Sequence, residues 1–197
     1  MVKIDSTQKL DFHNVLITPK RSTLNSRKEV NLERTFTFSH GQTWSGIPIM
    51  CANMASTGTI EMYKELSKYK MLTCFHKFYN FNDFVKYDQE HPDEPLNSEY
   101  FIISTGIREN DYENLCNICD NMETKWICID VANGYIPSLL EFCKKVRARY
   151  PNHIIIAGNV ATSEMTEALC LEGDVDIVKC GIGPGSVCTT RKKTGVG

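Results

Sequence analysis

The residues best suited to covalent chemistry lie in one glycine-rich stretch near the end of the chain. Residues 179–191 read KCGIGPGSVCTTR, so three glycines and a proline precede Cys188. A thiolate is a better nucleophile than a thiol, and the cations at Arg191, Lys192 and Lys193, together with exposed loop amides, favour the charged form. The stretch contains no histidine to serve as a base. The spacing alone therefore leaves two interpretations open, a catalytic nucleophile and a buried cysteine in a glycine-rich turn.

Six short apolar runs are predicted to form the strands that position this stretch. Each run is too short for a helix and almost uniformly apolar, which is typical of parallel strands buried on both faces. The runs are Ile47 to Cys51, Leu72 to Phe75, Phe101 to Ser104, Trp126 to Asp130, Ile154 to Ala157 and Ile177 to Cys180.

Segments with helical spacing separate these runs. The clearest extends from Ile136 to Val146, with Pro137 in its first turn and the cations Arg147 and Arg149 after its last apolar position. A proline in the first turn and cations in the last turn are signals of helix ends. Strands and helices are therefore predicted to alternate along the chain.

The spacing of the strands predicts the fold. They begin roughly 22 to 29 residues apart, the repeat of βα units in a barrel that closes with eight units in about 250 residues. We predict an α/β fold of the TIM (β/α)8 barrel type in which about six βα units are present. An open doubly wound sheet also fits the periodicity, but no GxGxxG follows the first strand.

The domain organisation follows from the same pattern. Residues 1–46 are predicted to form an N-terminal arm with a short strand or hairpin around Arg34 to Phe38. Residues 47–197 are predicted to form the partial barrel, the catalytic part of a single domain. The segment from Tyr87 to Tyr100, with two prolines and several acids, is predicted to be a surface loop.

Composition excludes several classes of partner. The chain carries 22 basic and 24 acidic residues, a formal net charge of -2, and shows no basic stripe that would hold a nucleic-acid backbone. No run approaches the roughly 20 apolar residues that a membrane-spanning helix needs, so we expect no membrane partner and a soluble, cytoplasmic protein.

The nine cysteines are an odd number, and most lie in apolar runs. This pattern is typical of buried free thiols in a reducing compartment and not of a disulfide framework. The pair Cys116 and Cys119 forms the one CxxC motif, without a second pair at metal-ligand spacing. Structural packing is the favoured interpretation of that motif, and a metal or redox role stays open.

The glycine-rich stretch resembles a known catalytic loop. Residues 181–197, GIGPGSVCTTRKKTGVG, are similar to the catalytic loop of the family that contains IMP dehydrogenase and GMP reductase. The resemblance covers the chain from end to end. Further matching motifs are LDF at 10–12, PKRS at 19–22, ANM at 52–54, HK at 76–77, DVANGY at 130–135 and AGNV at 157–160.

The resemblance implies a covalent mechanism. In GMP reductases of this family a cysteine attacks the purine C2 of GMP, ammonia leaves, and hydride from NADPH reduces the covalent thioimidate to release IMP. Covalent catalysis of this kind divides one difficult exchange into two easier steps. On this chain the resemblance makes Cys188 the nucleophile and Thr190 the hydroxyl partner that shuttles protons with a glutamate.

The resemblance also implies binding residues. The positions implied for NADPH are Ser26, Arg27, Lys77, Asp130, Val131, Ala132, Ile182 and Gly183, of which the first two reach a neighbouring subunit. The positions implied for a monovalent cation, usually potassium, are the carbonyl oxygens of Gly183, Gly185, Cys188 and Arg191. Ser186 is expected to meet the substrate phosphate. Two simpler interpretations stay open, Asp130 as a turn former at a strand end and Arg27 as a solvated surface charge.

Two features favour the GMP reductase branch over IMP dehydrogenase. Only a short loop stands where IMP dehydrogenases usually insert a regulatory domain, and DVANGY follows the fourth strand where they tend to have a Ser-Ser-Gln-Gly type sequence. The family pattern implies a homotetramer. One departure is Ala55, which stands where family members usually have an aspartate.

A second departure is the end of the sequence at Gly197. Family members continue further, so we expect the last two barrel units and the glutamate paired with Thr190 to be supplied by a longer product or by a complementing C-terminal chain. The chain by itself is expected to be incomplete for activity. Two other hypotheses compete, an inactive interaction module of a family oligomer and a truncated gene remnant.

Overall fold

A parallel sheet of six strands is the framework of residues 33–197 in the computed structural model, which describes residues 6–8, 10 and 12–197. The six strands lie in chain order, and the sheet curls into a half-barrel. An antiparallel hairpin precedes them. The hairpin strands are β1 (Arg34–Thr37) and β2 (Thr43–Gly46), and the sheet strands are β3 (Met50–Cys51), β4 (Leu72–Cys74), β5 (Phe101–Thr105), β6 (Trp126–Asp130), β7 (Ile154–Val160) and β8 (Ile177–Cys180).

A helix follows each sheet strand, as the alternating pattern predicts. The helices are α1 (Ile60–Leu66), α2 (Phe81–Glu90), α3 (Glu109–Asn121), α4 (Pro137–Arg149), α5 (Ser163–Leu171) and the short α6 (Thr190–Thr194). A 3-10 helix, Ser67–Tyr69, extends α1. In the described part of the chain, no helix is long and apolar enough to cross a membrane.

Several boundaries differ from the sequence prediction, and two of the differences have a clear physical reason. The first strand was expected from Ile47 but pairs only over Met50–Cys51, because Pro48 has no backbone N–H to donate to a ladder. The loop expected from Tyr87 begins only after Glu90. Helix α2 continues past Tyr87 because Phe84 and Tyr87, three residues apart on one helix face, are both buried.

Alternate strand residues build two cores. In β6, Ile127 and Ile129 pack in the cluster between the sheet and its helices, whereas Trp126 and Cys128 pack in the cluster inside the curve. This is the period of two that a strand buried on both faces requires. The hairpin covers the inner cluster at the amino-terminal end of the strands, where Trp44 lies edge-on to Trp126 with 5.6 Å between ring centroids.

The first 32 residues form a separate compact unit. Its described elements include two 3-10 helices, Phe12–Asn14 and Arg27–Glu29. Residues 1–5, 9 and 11 of the expected N-terminal arm, with part of its LDF motif, lie outside the described residues.

All nine cysteines are free, in agreement with the prediction. Only three of them, Cys74, Cys128 and Cys143, are fully buried, while Cys170 and Cys180 are exposed. Burial raises the pKa of Cys143 to about 12, so that thiol stays protonated and packs as an apolar group.

Candidate active site

The predicted site residues of the barrel lie beyond the carboxyl ends of the sheet strands. Lys77 follows β4, Asp130 ends β6, and the loop that carries Cys188 follows β8. Because all six strands are parallel, these ends meet at one edge of the sheet, which is where barrels of this type build their active sites.

Cys188 is hydrogen-bonded to Thr190. The Sγ atom of the half-buried Cys188 donates to Oγ1 of Thr190 over 3.2 Å. In the thiolate form, both the hydroxyl and the backbone N–H of Thr190 donate to the sulfur, and the hydroxyl has the larger effect. Together with the positive charge of Arg191, these hydrogen bonds hold the pKa of Cys188 below its ordinary value. The pair therefore favours the nucleophilic form of the cysteine.

The loop before Cys188 folds back onto α6. Gly183 has a φ of +58°, and a Cβ there would lie 3.1 Å from Cβ of Thr190, so the left-handed backbone and the close approach both favour glycine. The Arg191 Nε donates to the Ile182 carbonyl over 3.0 Å, and the Cys188 N–H donates to the Gly185 carbonyl over 3.0 Å. These bonds fix the loop around the cysteine.

The residues expected to hold a monovalent cation are compatible with that role. The Gly185 carbonyl accepts one hydrogen bond from Cys188, and the Arg191 carbonyl accepts one from Gly195, which leaves each oxygen a second lone pair. Gly183 lies beside Arg191. Among the described residues no group of three or more His, Cys, Asp and Glu side chains suits a metal ion.

Asp130 is held by the side chains of Lys179 and Asn53, neither of which was predicted from the sequence to be a site residue. The Lys179 Nζ lies 2.7 Å from its Oδ1, and the Asn53 Nδ2 donates to its Oδ2 over 2.8 Å. Lys179 also donates to Oδ1 of Asn53 over 2.9 Å, which closes a ring of three residues, with Asn53 two residues after β3, Asp130 at the end of β6 and Lys179 in β8. A sequence signal for Lys179 exists, since it is the one charged residue of an otherwise apolar strand.

Lys77 forms an ion pair with Asp111, which was not predicted from the sequence to be a site residue. The Nζ atom lies 3.2 Å from Oδ1 of Asp111, in the first turn of α3. Gly106 makes room for the pair, because a Cβ there would lie 2.3 Å from Oδ2 of Asp111. The amino group of Lys77 is therefore held at the strand edge while remaining partly exposed.

Two buried polar atoms belong to elements at the same edge. Nδ1 of His76 and Oδ1 of Asn159 are buried without a hydrogen-bond partner. The ring of His76 stacks on Tyr79 with 4.1 Å between centroids, which fixes its orientation. Buried polar atoms without partners are rare, and at a sheet edge of this type they are compatible with contact to a bound ligand.

The remaining predicted residues have separate surroundings. Val131 is half-buried and its N–H donates to the Gly158 carbonyl over 2.9 Å, whereas Ala132 and Ser186 are exposed. Ser26 and Arg27 belong to the unit of residues 1–32, where the Ser26 hydroxyl accepts from the Lys28 N–H over 3.2 Å at the start of a 3-10 helix.

Fold and site together define a βα-barrel protein with a candidate nucleophilic cysteine on the loop after its sixth sheet strand. The chain belongs to the IMP dehydrogenase and GMP reductase family, because residues 9–197 match the IMP dehydrogenase / GMP reductase domain. The predicted family and the predicted fold class are thereby confirmed.

Similar proteins support this assignment. The chain is 51% identical to GMP reductase 1 of Homo sapiens over 199 residues and 50% identical to GMP reductase of Serratia proteamaculans (strain 568) over 198 residues. Both comparisons include 100% of this chain and 56% of the relative, so the chain spans about half the length of these curated relatives.

A solved structure has the same fold. The crystal structure of inosine 5'-monophosphate dehydrogenase from Legionella pneumophila matches with a TM-score of 0.80 and 28% identity. The match covers 96% of this chain and 56% of that chain.

Proposed function

We propose that this chain provides the nucleophile and cofactor-binding half of a GMP reductase, which converts GMP to IMP and ammonia with oxidation of NADPH. The observation that carries the proposal is the hydrogen bond from Cys188 to Thr190 in the loop after β8. The family match and the GMP reductase names of the curated relatives support this choice of reaction.

Cys188 acts in the first step as the attacking group. Its thiolate forms a bond to C2 of the guanine base, and the bond from C2 to the exocyclic amine breaks, so ammonia leaves with a proton that the enzyme supplies. The Thr190 hydroxyl, in contact with the sulfur, is placed to hold or pass that proton. The product of this step is a thioimidate on Cys188.

The second step restores the thiolate. NADPH, when bound, supplies the hydride that reduces C2. The carbon–sulfur bond then breaks, and the electron pair returns to Cys188, whose lowered pKa makes it a good leaving group. The Arg191 charge stabilises the released thiolate.

The residues at the strand edge are suited to NADPH. Asp130 accepts hydrogen bonds from ligand hydroxyl groups, and Lys77 provides a positive charge for phosphate. Val131, Ala132, Ile182 and Gly183 supply backbone groups beside these side chains. Ser26 and Arg27 complete the site from a neighbouring subunit of a homotetramer, where the guanidinium suits the 2′-phosphate.

The cation and the substrate phosphate complete the proposal. The carbonyl oxygens of Gly183, Gly185, Cys188 and Arg191 would hold a potassium ion, which would stabilise the loop that presents the thiol. Ser186, which is exposed on the same loop, binds the phosphate of GMP.

The proposal is tested by following NADPH absorbance with GMP as substrate. The chain is assayed alone and together with a polypeptide that carries the C-terminal part of a GMP reductase, with Cys188→Ala as the inactive variant. Cys170→Ala is the matched control, because Cys170 is an exposed thiol on α5. GMP-dependent oxidation that is lost in Cys188→Ala and kept in Cys170→Ala supports the proposal.

Other outcomes decide between the alternatives. No oxidation in either arrangement contradicts the enzyme proposal and favours an inactive interaction module. Oxidation only after mixing identifies a two-chain enzyme. Reduction of a nicotinamide cofactor with IMP, in place of oxidation with GMP, would identify an IMP dehydrogenase. Light scattering of the same samples tests the homotetramer.

A further inference from the structure

Asp130 and Lys179 meet across a strand position that has no side chain. In the sheet register, Asp130 on β6 pairs with Gly158 on β7, and Gly158 pairs with Lys179 on β8. Two strand spacings separate the outer residues by roughly 10 Å along the row. Gly158 leaves the space between them open, so the lysine side chain reaches the carboxylate at 2.7 Å.

The middle position requires glycine for this contact. A Cβ at Gly158 would lie 2.5 Å from the backbone oxygen and 2.6 Å from the Cβ of Lys179. A larger residue would therefore displace Lys179 from Asp130. The arrangement of acid, glycine and lysine in one row is a feature of the tertiary structure, since 28 and 21 residues of chain separate its members.

The ring with Asn53 orients the carboxylate. Lys179 donates to Oδ1 and Asn53 donates to Oδ2, so each oxygen of Asp130 has one internal partner. A carboxylate has about four acceptor positions, which leaves roughly one on each oxygen for a ligand. Both remaining positions accept hydrogen bonds, so the group suits a ligand with two neighbouring O–H or N–H donors.

The ammonium group is charged under ordinary conditions. Burial opposes the charged form of Lys179, but Cys128, Asp130 and the hydrogen bond to Asp130 outweigh it and raise the pKa of Lys179 above its ordinary value. The side chains of Lys179 and Asp130 are 27% and 32% exposed, so water screens their attraction less than it screens a surface pair.

We propose that Lys179 is a positioning residue for the cofactor. Together with Asn53, Lys179 orients the Asp130 carboxylate so that it accepts hydrogen bonds from the hydroxyl groups of NADPH. This inference rests on the proposed function, because it takes Asp130 to be part of the NADPH site. Lys179 acts through Asp130 and does not itself react.

The test measures the dissociation constant of NADPH by cofactor fluorescence for the full chain. Lys179→Met removes the ammonium and keeps the length of the side chain, while Lys179→Arg keeps the positive charge. The matched control is Lys86→Met, because Lys86 is 74% exposed near the end of α2. The Tm of each variant without ligand is measured alongside.

We expect Lys179→Met to raise the dissociation constant by about tenfold, the loss typical of one hydrogen bond to a charged group. Lys179→Arg should restore affinity to within about threefold of wild type, since an arginine also donates to a carboxylate. Lys86→Met should bind as wild type does.

Three results would overturn the inference. If Lys179→Met binds NADPH as tightly as wild type, Lys179 does not position the cofactor site, and the proposed function is unaffected. If Lys179→Arg fails to restore affinity and both variants lose Tm to the same extent, the role of Lys179 is structural. If the wild-type chain, alone and mixed with a C-terminal polypeptide, does not bind NADPH, the proposed function fails and this inference fails with it.

Discussion

The Sγ atom of Cys188 donates a hydrogen bond to Oγ1 of Thr190, two residues later at the start of α6, over 3.2 Å. The residue between them, Thr189, is the N-cap of α6 and has a helical backbone conformation. Thr190 stabilises the thiolate through its hydroxyl and its N–H, so reactivity at Cys188 is linked to the conformation of the loop.

Thr190→Val should therefore make Cys188 less reactive. The valine side chain cannot donate to the thiolate, and only the backbone N–H of residue 190 is kept as a donor, so the pKa of Cys188 should rise part of the way toward its ordinary value. Alkylation at about pH 7 should then be several-fold slower. The rate is measured with iodoacetamide and peptide mass spectrometry. Cys170 in the same sample is the internal control, and its rate should be unchanged. Equal rates at Cys188 in both proteins would contradict the role given to Thr190.

Arg147→Met should strongly destabilise the fold. The Arg147 Nη2 lies 2.6 Å from Oδ2 of Asp176, and their side chains are 8% and 0% exposed. Without the arginine the buried carboxylate of Asp176 keeps hydrogen bonds from Ser39 and Ile155 but loses its ion-pair partner, which typically costs about 3–5 kcal/mol. Urea denaturation measures the change in the free energy of unfolding.

The control for this ion pair is on the same helix. Lys144→Met removes a surface pair with Glu141 at 3.7 Å and should change stability by less than about 1 kcal/mol. Similar losses in the free energy of unfolding for Arg147→Met and Lys144→Met would contradict the larger stabilisation expected from the buried ion pair.

His153 should make stability depend on pH. Burial, and then the charge of Arg147, lowers the pKa of His153 below its ordinary value. His153 therefore binds a proton more readily in the unfolded chain than in the folded protein. The free energy of unfolding should decline as the pH falls below about 6.5, the pKa of histidine in the unfolded chain, and toward the lower pKa of His153 in the folded protein.

His153→Gln should reduce that decline. Glutamine keeps a polar atom available for the Thr124 hydroxyl, which contacts Nε2 of His153 at 2.9 Å, but it does not titrate. The free energy of unfolding of wild type and of His153→Gln is measured by urea denaturation from about pH 7.5 to about pH 5. At about pH 7.5 the two proteins should depend on pH alike. The same slope for both proteins in the acid range would contradict the prediction.

Gly58→Ala should destabilise the loop between β3 and α1. A Cβ at this position would lie 2.2 Å from the carbonyl oxygen of Cys74 and 3.0 Å from that of Ala52, so backbone must shift. We expect a loss of about 1–3 kcal/mol in the free energy of unfolding. Gly185→Ala is the comparison, since nothing lies within 4 Å of its added Cβ, and it should change stability by less than about 0.5 kcal/mol.

Local pattern was enough to predict the elements of the sheet. The apolar runs predicted six strands, and all six occur near the expected places. The four inner strands are almost wholly buried, as apolar runs without alternation predict, whereas the outer strands β3 and β8 are half-buried. The boundaries were less certain. The first sheet strand begins after Pro48, and α2 continues past the buried Tyr87. Both boundaries depend on hydrogen-bond partners and packing from other parts of the chain, which a local pattern does not show.

The sequence by itself determined the family, the order of strands and helices, and the position of Cys188 on the loop after β8, because local motifs and the spacing of apolar residues are enough to predict them. Only the tertiary structure decided that Lys179 and Asn53 hold Asp130. Their contact depends on the parallel register that places Gly158 between Asp130 and Lys179 and on the curl that brings Asn53 to both. Residues so distant in the chain meet only when the whole sheet has formed, and no local pattern records that register.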